Sequence, residues 1–142
     1  MTRVARVELF VLIAAGAVGA GVHAAIAPEH LREWAPLGAS FVAVAVFLSV
    51  GVVALAVRPD HGRVLTALAL LLGSVAGAYV ATRLTAIPLL DPEREPFDAL
   101  GIGTSAIEAL GALVAVHLGP LRTRRTPALN QLVRVEAGRL GN

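Results

Sequence analysis

The chain has 142 residues, no cysteine, a formal net charge of +2 and a mean hydropathy of +0.75, with 56% hydrophobic and only 15% charged residues. A soluble domain carries about a quarter charged residues, so this composition argues against a soluble globular fold and for a bilayer solvent. Without cysteine, disulfides, thiolate metal sites, iron–sulfur ligation and thiol redox chemistry are all excluded.

All twelve basic residues are arginine, and the pI is near 10.4. They cluster at the ends of apolar runs and in the tail, without interleaved aromatics, which points to anionic lipid headgroups and away from nucleic acid. The apolar mass is Ala, Val, Leu and Gly, with only 4% aromatic residues. Small side chains let helices approach closely where lipid removes the hydrophobic drive between them.

Four runs meet the length rule of about 20 apolar residues for a spanning helix. The first covers about 9–27, with His23 toward its far end. "PEHLREWAP" follows, and Pro28 and Pro36 bracket a short interfacial helix expected over 28–35, with Leu31 and Trp34 dipping into the interface. The second run, about 38–57, carries no charge, and "RPDHGR" makes a tight turn after it. The third covers about 64–83 and stops at Arg83. "LTAIPLLDPEREPFDA" has three prolines and cannot itself span; Asp98 stands where it can cap the next helix. The fourth run, about 99–118, contains Glu108 and His117.

The expected fold is therefore all-α, a four-transmembrane-helix bundle forming a single membrane domain over 1–118, followed by a basic tail over 119–142. The first run is too long for a cleavable signal peptide. In the tail, Leu129, Leu132, Val133, Ala137 and Leu140 recur at helical spacing. An amphipathic helix over 128–140 and a disordered basic tail both fit that pattern. Nine arginines fall on one side of a four-span arrangement and three on the other. The positive-inside rule then places both termini in the cytoplasm of a plasma-membrane protein. Arg3, Arg6, Arg58, Arg63, Arg122, Arg124 and Arg125 are the expected headgroup contacts.

Glu108 is the residue that chemistry must explain. Thr104, Ser105, Gly101, Gly111 and Ala112 share its helical face, while Ile102, Leu110, Leu113 and Val116 lie opposite. It belongs to the small, polar stripe and lies about 14 Å along the helix from its start. A charge at that depth costs at least about 3 kcal/mol, so it requires a proton, a partner or water. His23, Arg83, Thr104 and Ser105 are the reachable partners in an outward-facing polar site. The alternative is a paired Glu that serves only packing and register.

His23 and His30 are seven residues apart, about 10 Å along a helix. With Glu33 they would suit Zn²⁺ or Cu²⁺ only if the chain folded back at Pro28. No known metal spacing is matched, and an interfacial, hydrogen-bonded histidine is the simpler reading. Haem is not expected, since His23 and His117 belong to opposite membrane faces. "GIG" at 101–103 follows no strand and is no phosphate loop, so a nucleotide is not expected either. Gly73, Gly77 and Gly111 are the expected helix-packing positions. No nucleophile–base pair can be assembled, which argues against an enzyme.

"HAAIAPEHLREW", "YVATRLTAIP" and "PFDALG", with the glutamate of the fourth helix, resemble small four-helix integral membrane proteins of high-GC bacteria, over most of residues 20–110. That resemblance implies the topology and no activity. Two functions remain: an accessory or scaffold subunit packing through Gly/Ala faces against a protein partner or a second copy, or an ion- or small-ligand-binding protein built on His23, Glu108 and Arg83.

Overall fold

The computed structural model describes residues 2–86 and 96–123, with side chains through 119, and every element among them is a helix. The helices are α1 (Arg3–Glu33), α2 (Ala35–Val57), α3 (Gly62–Leu84) and α4 (Ala99–Thr123). All four are long and apolar enough to cross a membrane. Exposed Phe47, Val50, Val53 and Val57 on α2 and Leu113 and Val116 on α4 form an apolar outer surface of the kind that lipid covers.

The helices run antiparallel around a shared core of Leu12, Leu48, Leu55, Leu65, Leu68, Leu72 and Leu118. Extensive contact joins α1 to α2 and α3 to α4; α1 against α4 closes the bundle, and α2 touches α3 sparingly. Arg3, Arg6, Arg58 and Arg63 come to one end, which the last turn of α4 with Arg122 also reaches. Trp34 and Asp98 mark the other end. Arg124 and Arg125, and the helix expected over 128–140, lie outside the described residues.

Two expectations change. The segment 28–35 is not a separate interfacial helix, because α1 runs unbroken through Pro28 to Glu33. Proline there removes one backbone donor, and the rest of the helix ladder carries the chain across it. At about 46 Å, α1 is longer than the roughly 30 Å hydrocarbon layer, so its charged ends can lie outside. Trp34 alone breaks the chain, in an extended conformation, and Pro36 falls in the first turn of α2, where a missing N–H costs nothing. The second change is α4, which continues to Thr123 past the expected end at Leu118.

The packing glycines also differ from expectation. A Cβ on Gly77 would meet nothing within 4 Å, and one on Gly73 would make only an ordinary contact with Ala112 at 3.8 Å. Both glycines lie on the outside of α3. Of the three expected positions, Gly111 alone is closely approached, where a Cβ would come 2.9 Å from Ala15, and Gly16 joins it, where a Cβ would come 2.7 Å from Val52. Gly38 passes so close to the Leu31 backbone that only glycine allows the one-residue turn.

Gly111→Ala should therefore lower stability by about 1–3 kcal/mol through overpacking. Gly21→Ala, in open space, should be neutral or stabilising by about 0.5–1 kcal/mol. Thermal unfolding in mild detergent compares them, and equal effects would contradict the packing described.

Candidate functional site

The buried positions of α4 are Thr104, Glu108, Gly111, Ala115 and Leu118, spaced alternately by four and three. That is the seam spacing of a helix facing its neighbours, so Glu108 occupies a core position. It is 1% exposed. From α1, the seam contributes Leu12, Ala15, Gly16, Gly19 and His23. His23 and Glu108 thereby meet, Nδ1 to Oε1 at 3.6 Å.

That separation exceeds a hydrogen bond, for a local reason. The Nδ1–H of His23 donates to the carbonyl of Gly19, one turn earlier, at 2.9 Å. Gly19 also makes the room: a Cβ there would come 3.1 Å from Glu108 Oε1. Thr104, a hydroxyl on the same face, donates to the carbonyl of Leu100 at 2.8 Å. Among the described residues Glu108 Oε1 has no hydrogen-bond partner.

The carboxylate lines a cavity of about 500 Å³ to which all four helices contribute. His23 and His30 from α1, Phe41 and Ser40 from α2, Ser74 and Tyr79 from α3, and Thr104 and Ser105 from α4 share its wall. Arg83 also lines it, and pairs with Asp98, Nη2 to Oδ2 at 3.6 Å. It also donates to Thr82 Oγ1 at 3.0 Å and lies 4.4 Å over the Tyr79 ring. The five residues expected to form a polar site thus share one cavity, in which Glu108 pairs with His23 and Arg83 with Asp98.

The expected metal set does not assemble. Among the described residues no three His, Asp or Glu side chains gather as ligands. Both imidazoles instead meet the ring of Phe41 edge to face, with centroids 5.3 Å away for His23 and 4.6 Å for His30. His30 Nδ1–H is taken by the Ile26 carbonyl at 3.0 Å.

The chain matches no family model, no curated protein and no solved structure. The site must speak for itself.

Two features escape the sequence pattern. At the arginine end, His117 Nδ1 donates to Glu8 Oε1 at 2.9 Å, so a second Glu–His pair ties α4 to α1. Glu8 stands at the edge of an apolar run, and only the helix pairing reveals its partner. At the other end, Tyr79 clamps Asp98: its hydroxyl donates to the Asp98 carbonyl at 3.2 Å. Gly101, against the Tyr79 ring, has no room for a side chain. Asp98 Oδ1 caps α4 by accepting from Gly101 N–H at 2.7 Å.

That cap is the main reason the Asp98 carboxyl lies below its ordinary pKa; burial opposes it, and the contacts with Arg83 and then Tyr79 add to it. A depressed carboxyl stabilises the fold above its unfolded pKa and loses that contribution as pH falls through the folded one. Asp98→Ala should cost about 1 kcal/mol at neutral pH. The gap in unfolding midpoint from wild type should hold down to about pH 5 and narrow below it. A gap of unchanged size at the acid end would remove the ionised cap from the account.

Proposed function

We propose that the protein binds a small ligand within the membrane, in the cavity that Glu108 lines, with both termini cytoplasmic as the arginine distribution favours. One observation carries the reading. Glu108 is a core carboxylate whose Oε1 has no hydrogen-bond partner among the described residues and which borders a space of about 500 Å³. Ligand pockets are typically about 300–1,000 Å³, mostly apolar, with a few convergent polar groups. A carboxylate kept only for packing would be expected to have its hydrogen bonds satisfied by the helices around it. Intramembrane ionisable residues mark functional positions by default.

A small apolar probe tests access without assuming a ligand. A lipophilic carbodiimide, added to the protein in mild detergent, should modify Glu108, as mass spectrometry of its peptide would show. Ala78→Phe, which fills the cavity and leaves the carboxylate in place, should suppress that modification. Glu108→Gln should remain folded with an unfolding midpoint equal to or above wild type, because it removes a buried charge. An unmodified Glu108, or a Gln variant that fails to fold, would favour the packing role.

A second reading, an accessory subunit, draws on the open face of α3. Gly73 and Gly77 lie on the exterior, with nothing within 4 Å of a Cβ on Gly77. Small-xxx-small faces of this kind suit helix–helix association with a partner or a second copy. Gly77→Leu should then dissociate an oligomer seen by light scattering in mild detergent, and a monomeric wild type would leave this face to lipid.

A further inference from the structure

The cavity also carries information about what it would hold, an inference that rests on the ligand-binding reading above. Its charges are unevenly distributed. At the end near Trp34, Arg83 and Asp98 lie 3.6 Å apart as an ion pair. Deeper, Glu108 is the second of two carboxylates, after Asp98, among the described lining residues, and its neighbour His23 has given its Nδ1–H to the Gly19 carbonyl. A histidine used in this way orients the ring and leaves the carboxylate short of a donor. The unmet requirement at the floor is for positive charge, or for N–H groups.

The size and lining of the space decide which cation. A bare divalent ion needs several oxygen or nitrogen ligands converging on one point, and among the described residues no three His, Asp or Glu side chains gather to supply them. A cavity of about 500 Å³ is far larger than an ion requires. The walls are mainly apolar, with Val22, Ile26, Val44, Leu71 and Val75 around the ring of Phe41. Aliphatic walls and the Phe41 ring take up a hydrocarbon body by burial, and the carboxylate of Glu108 is left for a charged centre. We infer that the cavity is a site for a lipophilic organic cation, an amine or quaternary ammonium whose charged centre lies against Glu108 and whose apolar body fills the space toward Phe41.

An isosteric pair separates this from a general apolar pocket. Benzyltrimethylammonium and neopentylbenzene have the same shape and differ in one central atom, nitrogen with a positive charge or carbon without. Both would be titrated into the protein in nanodiscs of a neutral lipid, with binding followed by the fluorescence of Trp34 and by the unfolding midpoint. The cation should bind the wild type, and Glu108→Gln should weaken it about 10- to 100-fold, the range expected for loss of a hydrogen-bonded or paired charge. The same substitution should leave neopentylbenzene within about threefold. Ala78→Phe, which retains the carboxylate, should weaken both probes, showing that the effect belongs to the cavity and not to charge on the protein surface. Binding of the two probes with equal affinity, unaffected by Glu108→Gln, would overturn the cation assignment and keep the ligand-binding reading. Binding of neither would overturn both.

Discussion

A carboxylate placed at a core position of a membrane bundle constrains everything around it. Glu108 follows Thr104 and precedes Gly111 in the seam of α4, so its side chain cannot turn toward lipid or reach a headgroup as an arginine can. Space for it comes from α1. Gly19 withholds a Cβ that would lie 3.1 Å from Oε1, and Gly111 lets α4 come within touching distance of Ala15 one turn away. The same approach brings His23 alongside, then directs its Nδ1–H to a backbone carbonyl at 2.9 Å. Close packing and an unsatisfied oxygen thus arise from one arrangement of small residues. A larger residue at 19 would displace the carboxylate. A hydroxyl free to donate from Thr104 would satisfy it.

The two ends of the α1–α4 seam illustrate how differently the same residue pair can be used. At the arginine end, Glu8 and His117 make a hydrogen bond of 2.9 Å, with the histidine 64% exposed. Water is at hand there, so the pair adds little energy and mainly fixes which residues face each other. At Glu108 the histidine is buried, the separation is 3.6 Å, and the bond is not made. A low local dielectric makes an incomplete polar contact costly. Both pairs hold the helices in one register. Each leaves one carboxylate oxygen, Glu8 Oε2 or Glu108 Oε1, without a hydrogen-bond partner among the described residues, but only Glu108 does so beside the cavity.

Much of this was legible in the residues. Long uncharged runs gave four helices, and the three-and-four spacing around Glu108 gave its face: Ile102, Leu110, Leu113 and Val116 are all exposed on the other side. What periodicity cannot supply is which neighbour a face meets. Arg83 and His23 were both within reach of Glu108; the helix order and the pull of Asp98 and Tyr79 on the guanidinium decide between them. Glycine spacing misleads for the same reason. Gly73 and Gly77 form a regular pair yet turn outward, while Gly16, Gly19 and Gly111 acquire their roles from Val52, Glu108 and Ala15 on other helices. Pro28 marks no boundary, because a helix with all its other backbone bonds intact gains nothing by ending inside an apolar environment.

The uneven contacts among the helices explain where the cavity lies. α1 packs closely on α2, and α4 on both α1 and α3, whereas α2 and α3 meet mainly where Leu68 lies over Gly51, nearer the arginine end. Beyond that point toward Trp34, the two helices stand apart, and Phe41, Ser74 and Ala78 border the gap. Ser74 and Ala78 are exposed although they line the cavity, so its wall is open on the flank of α3. The polar latch of Arg83, Asp98 and Tyr79 covers the end instead. A cavity latched at its polar end and open on its apolar flank is better placed to receive a molecule already dissolved in the bilayer than one arriving from water. On the proposed reading, Glu108 would meet the polar group that such a molecule carries.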